Sequence, residues 1–179
     1  GVFVTGNLNQ AIGAFAGRSV FGSKNSAFGA DSGQSVTGYF NVALGAEVGQ
    51  YVVGNSNVAI GKESGRGVTG NANIALGDHA GMGVLGEGNL SFGSYAGQDV
   101  NGTYNSSYGS NSGKHVMGYG NAAFGSDSGM YVTGYGNQAF GFGAGQSVSG
   151  FFNSASGNNS GHRVVGNFNN AVGYDSGTD

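Results

Sequence analysis

The chain restates itself every 16 residues. In "GYFNVALGAEVGQYVVGNSNVAIGKESGRGV", Gly38, Asn41, Ala43, Gly45, Gly49 and Val52 return as Gly54, Asn57, Ala59, Gly61, Gly65 and Val68. A fixed period constrains a fold more than composition does, because every unit must take the same shape and bury its apolar face on its neighbours. From Val4, eleven units follow without insertion or deletion, with the consensus V-x-G-x-x-N-x-A-φ-G-x-x-[S/A]-G-x-x, where φ is apolar. Five columns never vary. They are the Val from Val4 to Val164, the Asn from Asn9 to Asn169, and three Gly columns that begin at Gly6, Gly13 and Gly17. Those three columns hold 33 of the 40 glycines, so the Gly is positional. A chain that is 8% charged and 12% aromatic also lacks the composition of a disordered one.

Sixteen residues are too few for a helix pair and too rich in Gly for helix at all. They suit one coil of a β-solenoid, with two short strands and two tight turns. The strand candidates are the stretch around the Val and the stretch N-x-A-φ, and the glycines between them mark turns that need positive φ or close backbone approach. Coils stacked in parallel at ~4.8 Å predict a rod of roughly 50 Å. Side chains alternate along a strand, so Asn, Ala and the following Gly share one face and φ takes the other. The invariant small residues fit a thin interior. Its expected members include Val36, Val52 and Val68, Asn41, Asn57 and Asn73, and Ala43, Ala59 and Ala75. The Asn column is expected to bond turn backbone and to stack as a ladder.

The φ column then points outward. It reads Ile12, Phe28, Leu44, Ile60, Leu76, Phe92, Tyr108, Phe124, Phe140, Ser156 and Val172. A continuous apolar stripe of this length marks an interaction surface, and the simplest partner is another copy of the chain. The alternative places φ inside the coil and Ala outside, which makes a self-sufficient monomer.

"NVALGAEVG", "NVAIGKESG", "NIALGDHAG" and "NSAFGADSG" resemble the repeats of the YadA-like head of trimeric autotransporter adhesins. The resemblance spans the whole chain, although the family's typical unit is slightly shorter. It implies an all-β fold, a left-handed parallel β-roll, with three chains side by side in a homotrimer. The φ residues Ile12 to Phe140 and Val172 would then form the trimer interface. It further implies a virulence-associated adhesin displayed outside the outer membrane on a stalk and barrel anchor, with the head attaching to host cells, extracellular-matrix protein, cell-surface glycan or abiotic surfaces. Residues 1–179 read as a single head fragment, with the repeats over 4–179. The chain starts and stops inside the repeat, which reads as a piece of a longer protein. Two other readings stay open: a non-binding spacer within such a fibre, and a module of a phage or other trimeric fibre.

The variable columns carry whatever recognition exists. Two adjacent ones hold the candidate ligand surface: Tyr39, Phe40, Tyr104, Tyr119, Tyr135, Phe151 and Phe152, with Phe168 beyond and Tyr131 and Phe142 nearby. Aromatic rings with polar tips are favoured contact residues; packing between coils is the competing role. Asp31, Glu47, Glu63, Asp127 and Asp175 share a turn column, but His79, Tyr95, Asn111 and Gly143 interrupt it, so a solvated turn fits better than a Ca2+ site. His79, His115 and His162 fall in three different columns and read as surface residues. Lys24, Lys62, Arg66, Lys114 and Arg163 form no stripe, and a net charge of -3 argues against nucleic acid. The absence of Cys excludes thiol chemistry. No nucleophile–base pair, carboxylate cleft or phosphate loop is visible, so neither an enzyme nor a cofactor is expected. Sequons occur at Asn101, Asn105 and Asn158. An ice-binding face would need a regular Thr ladder, and the column from Thr5 through Phe21, Thr37 and Val53 breaks that pattern.

Overall fold

The computed structural model describes residues 3–177; residues 1, 2, 178 and 179 lie outside the described residues. The described chain is a parallel β-solenoid without a helix. Eleven strands, each a three-residue x-A-φ segment from Gln10–Ile12 to Asn170–Val172, stack into one sheet in chain order. Every pairing joins equivalent positions of adjacent repeats, as in Ala43↔Ala59 and Leu44↔Ile60. Parallel strands need a crossover, and here the rest of the repeat supplies it as an irregular arc.

The second wall, after each Val, is less regular than expected. It has three-residue strands only at Asn101–Thr103, Met117–Tyr119, Thr133–Tyr135 and Ser149–Phe151. In the preceding coils it shrinks to one two-residue pair, Val4–Thr5 with Val20–Phe21, and then to single bridges such as Thr37↔Val53 and Thr69↔Leu85. Side chains account for part of the difference. The Tyr39 amide donates to Asn55 Oδ1 and the Asn55 amide to Asn71 Oδ1, each at 2.9 Å, so a side-chain oxygen takes the place of a ladder carbonyl. At Tyr119 and Tyr135 the next coil offers no such oxygen in that column, and the backbone strands run longer.

The interior is thin. Val20 to Val148 form an unbroken buried ladder. Facing it stands the Ala column, buried from Ala27 to Ala171, with Ser91 and Ser107 as its two substitutions. From Val36 onward two slivers of about 20 Å3 each remain between the walls, too small for any side chain, and the first coils, between Val4, Ala11, Val20 and Ala27, leave about 250 Å3. The Asn ladder closes one side. The Asn57 amide donates to Asn41 Oδ1 at 3.0 Å, and Asn57 Nδ2 donates to the same oxygen at 3.1 Å and to the Gly70 carbonyl at 2.9 Å. The same three bonds recur at Asn41, Asn73, Asn89 and onward to Asn153. A further interior column, not anticipated from the sequence, runs from Ser32 through Val48, Ser64, Ala80 and Ala96 to Ser160, all fully buried. Its serines satisfy their hydroxyls locally: Ser64 Oγ donates to the Gly61 carbonyl at 3.0 Å.

Two glycines show why their columns cannot vary. Gly54 has φ +142, and a Cβ there would collide with the carbonyl oxygen of Gly70, the same position one coil on. Gly49 has φ +59, and its Cβ would sit 2.8 Å from the Cβ of Ala43. The first glycine permits backbone to stack on backbone; the second lets the arc close on the Ala wall. The turns are not made by glycine alone. Three further corner positions per coil are left-handed, and most coils place non-glycine residues there, among them Phe40, Glu47 and Tyr51 with φ of 60, 59 and 56.

Two substitutions test this account. Gly54→Ala should cost more than about 3 kcal/mol in urea unfolding, because backbone cannot yield as a flexible side chain can. Asn73→Ala removes four side-chain hydrogen bonds, two donated by Nδ2 and two accepted by Oδ1, and should cost about 2–4 kcal/mol. Losses under about 1 kcal/mol at either position would contradict the stacking described.

Candidate functional site

Two surfaces gather exposed apolar residues into ladders, and a strand's alternation sets the first. Because Ala faces inward, φ faces outward on the eleven-stranded sheet. Ile12, Leu44, Ile60, Phe124, Phe140 and Val172 are exposed, and Phe28, Leu76, Phe92, Tyr108 and Ser156 are half-buried by their own neighbours. Parallel register puts identical columns one above another, so the rings stack. Phe92, Tyr108, Phe124 and Phe140 form a continuous ladder with centroids 4.8–5.1 Å apart and planes within 7°. Val42, Val58, Ile74 and Leu90, half-buried on the same face, widen the stripe through the middle coils.

The second surface lies where the short strands end and the next corner begins. Tyr104, Tyr119, Tyr135, Phe151 and Phe152 come together there, all exposed. Successive centroids along Tyr104, Tyr119, Tyr135 and Phe151 are 5.5, 6.5 and 5.3 Å apart. Their planes are tilted by 81°, 39° and 38°, unlike the flat φ ladder. Tyr119, Tyr135, Phe151 and Phe152 wall a groove of about 450 Å3 floored by Gly120 and Gly136. Tyr39 and Phe40 belong to the same columns but stand several coils away, where Lys24 Nζ lies 4.8 Å from the Phe40 ring. Tyr131 does not join the groove. It lines a separate depression with Asp99, Asn101, His115, Met117 and Thr133. Phe142 is exposed at the corner that follows the φ strand.

The polar candidates assemble no chemistry among the described residues. No three His, Asp or Glu side chains gather as a metal set. The acidic column is spent on neighbours: Glu63 takes Lys62 at 3.5 Å and His79 Nε2 at 3.3 Å, and Asp31 Oδ1 accepts from Gln34. Arg66 lies over the Tyr51 ring at 6.0 Å rather than on Glu63. His79 departs from the expected surface role. Its ring stacks on Tyr95 at 4.8 Å, and its Nδ1 lies 3.0 Å from Asp78 Oδ1, at an angle too poor for a hydrogen bond. His115 repeats the arrangement on another corner, against Asp99 at 3.4 Å and stacked on Tyr131 at 4.9 Å. An acid, a His and a Tyr on three successive coils thus recur at two corners, a pattern visible in the sequence only once the columns are superposed. Of the sequons, Asn105 is buried in the Asn ladder, whereas Asn101 and Asn158 are exposed.

No family model, no curated protein and no solved structure matches the chain. The functional reading therefore rests on the two surfaces.

They should respond differently to mutation. Tyr119→Ser or Tyr135→Ser should shift stability by no more than about 1 kcal/mol, as exposed positions do. Phe124→Ser loses flat stacking on both Tyr108 and Phe140 and should cost about 1–3 kcal/mol. Thermal unfolding of the three variants would show the order; a Tyr135→Ser loss larger than that of Phe124→Ser would reverse the assignment of structural and free rings.

Proposed function

We propose that the chain is the rod-like head of a bacterial surface adhesin, in which three copies stand side by side and attach the cell to host cells, matrix protein or inert surfaces. In this reading each chain is a left-handed roll of 16-residue coils, carried outside the outer membrane. The observation that supports it is the φ ladder. Leaving so long an apolar stripe in water would forfeit on the order of 10 kcal/mol per chain, and its straight, parallel course suits copies related by an axis along the rod. Ile12, Phe28, Leu44, Ile60, Leu76, Phe92, Tyr108, Phe124, Phe140 and Val172 would meet at that axis. The motif resemblance to YadA-like heads supports the number three and the surface location. The tilted aromatic corner supports a binding role over a bare spacer, because it gathers exposed rings in one groove. A spacer, or a module of another trimeric fibre, shares every feature except that corner.

Light scattering after size exclusion tests the assembly. The expected mass is three times 17.7 kDa, and the double variant Ile60→Asp, Phe124→Asp should fall to one. A wild-type monomer at every concentration, unchanged when fused to a trimeric coiled coil that brings three copies together, would overturn side-by-side packing. Attachment is tested separately. Beads coated with the protein should adhere to collagen, fibronectin or polystyrene above uncoated beads; equal retention on all three surfaces would favour the spacer.

A further inference from the structure

Three of the nine tyrosines stand next to one another. Tyr119 and Tyr135 end two short strands that pair in parallel, and the register sets the two residues directly opposite each other. Their ring centroids are 6.5 Å apart, with planes tilted by 39°. Tyr104 meets Tyr119 at 5.5 Å, edge to face at 81°. No other two tyrosines are in ring contact among the described residues. Tyr95 lies on His79 and Tyr131 on His115, while Tyr108 is held between Phe92 and Phe124. Phe151 follows Tyr135 at 5.3 Å and has no phenolic proton to give, so the row ends there.

Adjacent phenols on a fixed backbone have a chemistry that isolated ones lack: one-electron oxidation of both lets the two rings join. Three features favour it at Tyr119 and Tyr135. Both residues are exposed, at 50% and 52%, so a dissolved oxidant reaches them. The parallel ladder holds their backbones one strand apart, about 4.8 Å, so the rings meet without any search. The groove beside them, floored by Gly120 and Gly136, leaves about 450 Å3 into which the rings can turn. At Gly120 even an added Cβ would have nothing within 4 Å. A bond between two phenols joins ring edges at a moderate twist, so the tilted Tyr119–Tyr135 pair lies nearer the product than the perpendicular Tyr104–Tyr119 pair.

We propose that Tyr119 and Tyr135 form an oxidative cross-linking site that staples two adjacent coils together. The co-reactant is hydrogen peroxide acting through a haem peroxidase. Each phenol gives up one electron and one proton. The two phenoxyl radicals then form a carbon–carbon bond between their ortho carbons. The hydrogen on each of those carbons leaves as a proton, and each oxygen takes one up from water, which restores both phenols. The pair loses two electrons and two protons in all, and one peroxide becomes two waters. The product is a dityrosine bridge across one 16-residue repeat. The site goes beyond the adhesin-head reading and does not depend on it.

The test exposes the protein to peroxide and a haem peroxidase and follows dityrosine fluorescence on a denaturing gel. Fluorescence should run at the mass of a single chain, and its yield should hold on ~10-fold dilution, because both rings belong to one molecule. Cleavage before Asp127 separates the two residues in sequence, so their peptides should stay joined and weigh two hydrogens less than their sum. Tyr119→Phe and Tyr135→Phe should each abolish the single-chain product while leaving the circular dichroism of the fold unchanged. Tyr131→Phe, four residues from Tyr135 but in another depression, should keep the product. A single-chain product that survives Tyr119→Phe or Tyr135→Phe would overturn the proposal. So would links that form only between chains, or tyrosine oxidation that leaves the two peptides separate.

Discussion

Backbone packed directly on backbone governs this molecule. Where Gly54 meets Gly70 there is no room for one methyl group, and where Gly49 meets Ala43 there is room for only one. A coil so flat cannot hold large side chains, so the interior is reduced to Val, Ala, Ser and the amide of Asn. The Asn ladder follows from the same constraint. A thin interior leaves the inward carbonyls of the Gly54 column without water, and the Nδ2 of the Asn one coil back is the group that reaches them.

Displacing every large apolar residue outward has a second consequence. The strands keep their alternation, so φ must face solvent or a partner. Exact coil-on-coil register then converts a column in the sequence into a stack in space: the flat Phe92–Phe140 ladder is the parallel sheet expressed in side chains. At the ends of the short second strands Tyr119, Tyr135 and Phe151 pair in the same register, yet their rings tilt by 38–39°. The same residue type thus becomes mutual packing on one surface and free ring edges and faces on the other.

Much of this was legible in the columns. Invariant Asn and Val, with an Ala replaced only by Ser, next to an apolar but variable φ distinguished inside from outside, because a position with no spare volume rejects every larger residue. The buried column at Ser32, Val48 and Ala80 was missed: its mixture of small residues resembles an exposed turn, and burial shows only once the arc folds back on the Ala wall. The enclosure of His79 was missed for a similar reason, since Glu63 and Tyr95 approach it from the coils on either side. The weakening of the second sheet in the early coils was not anticipated either, because it depends on Asn55 and Asn71 competing with carbonyls across coils.

By itself the sequence determined the period, the parallel stacking and the residues too small to face anything but the interior, since these follow from repetition, side-chain volume and strand alternation. Only the tertiary structure decided which exposed rings touch. Tyr119 and Tyr135 are neighbours at a corner whereas Tyr131, four residues before Tyr135, lies in another depression. A side chain's direction at a left-handed corner depends on the local path of the backbone and on the coil beneath it, and neither is written in the residue's own position in the repeat.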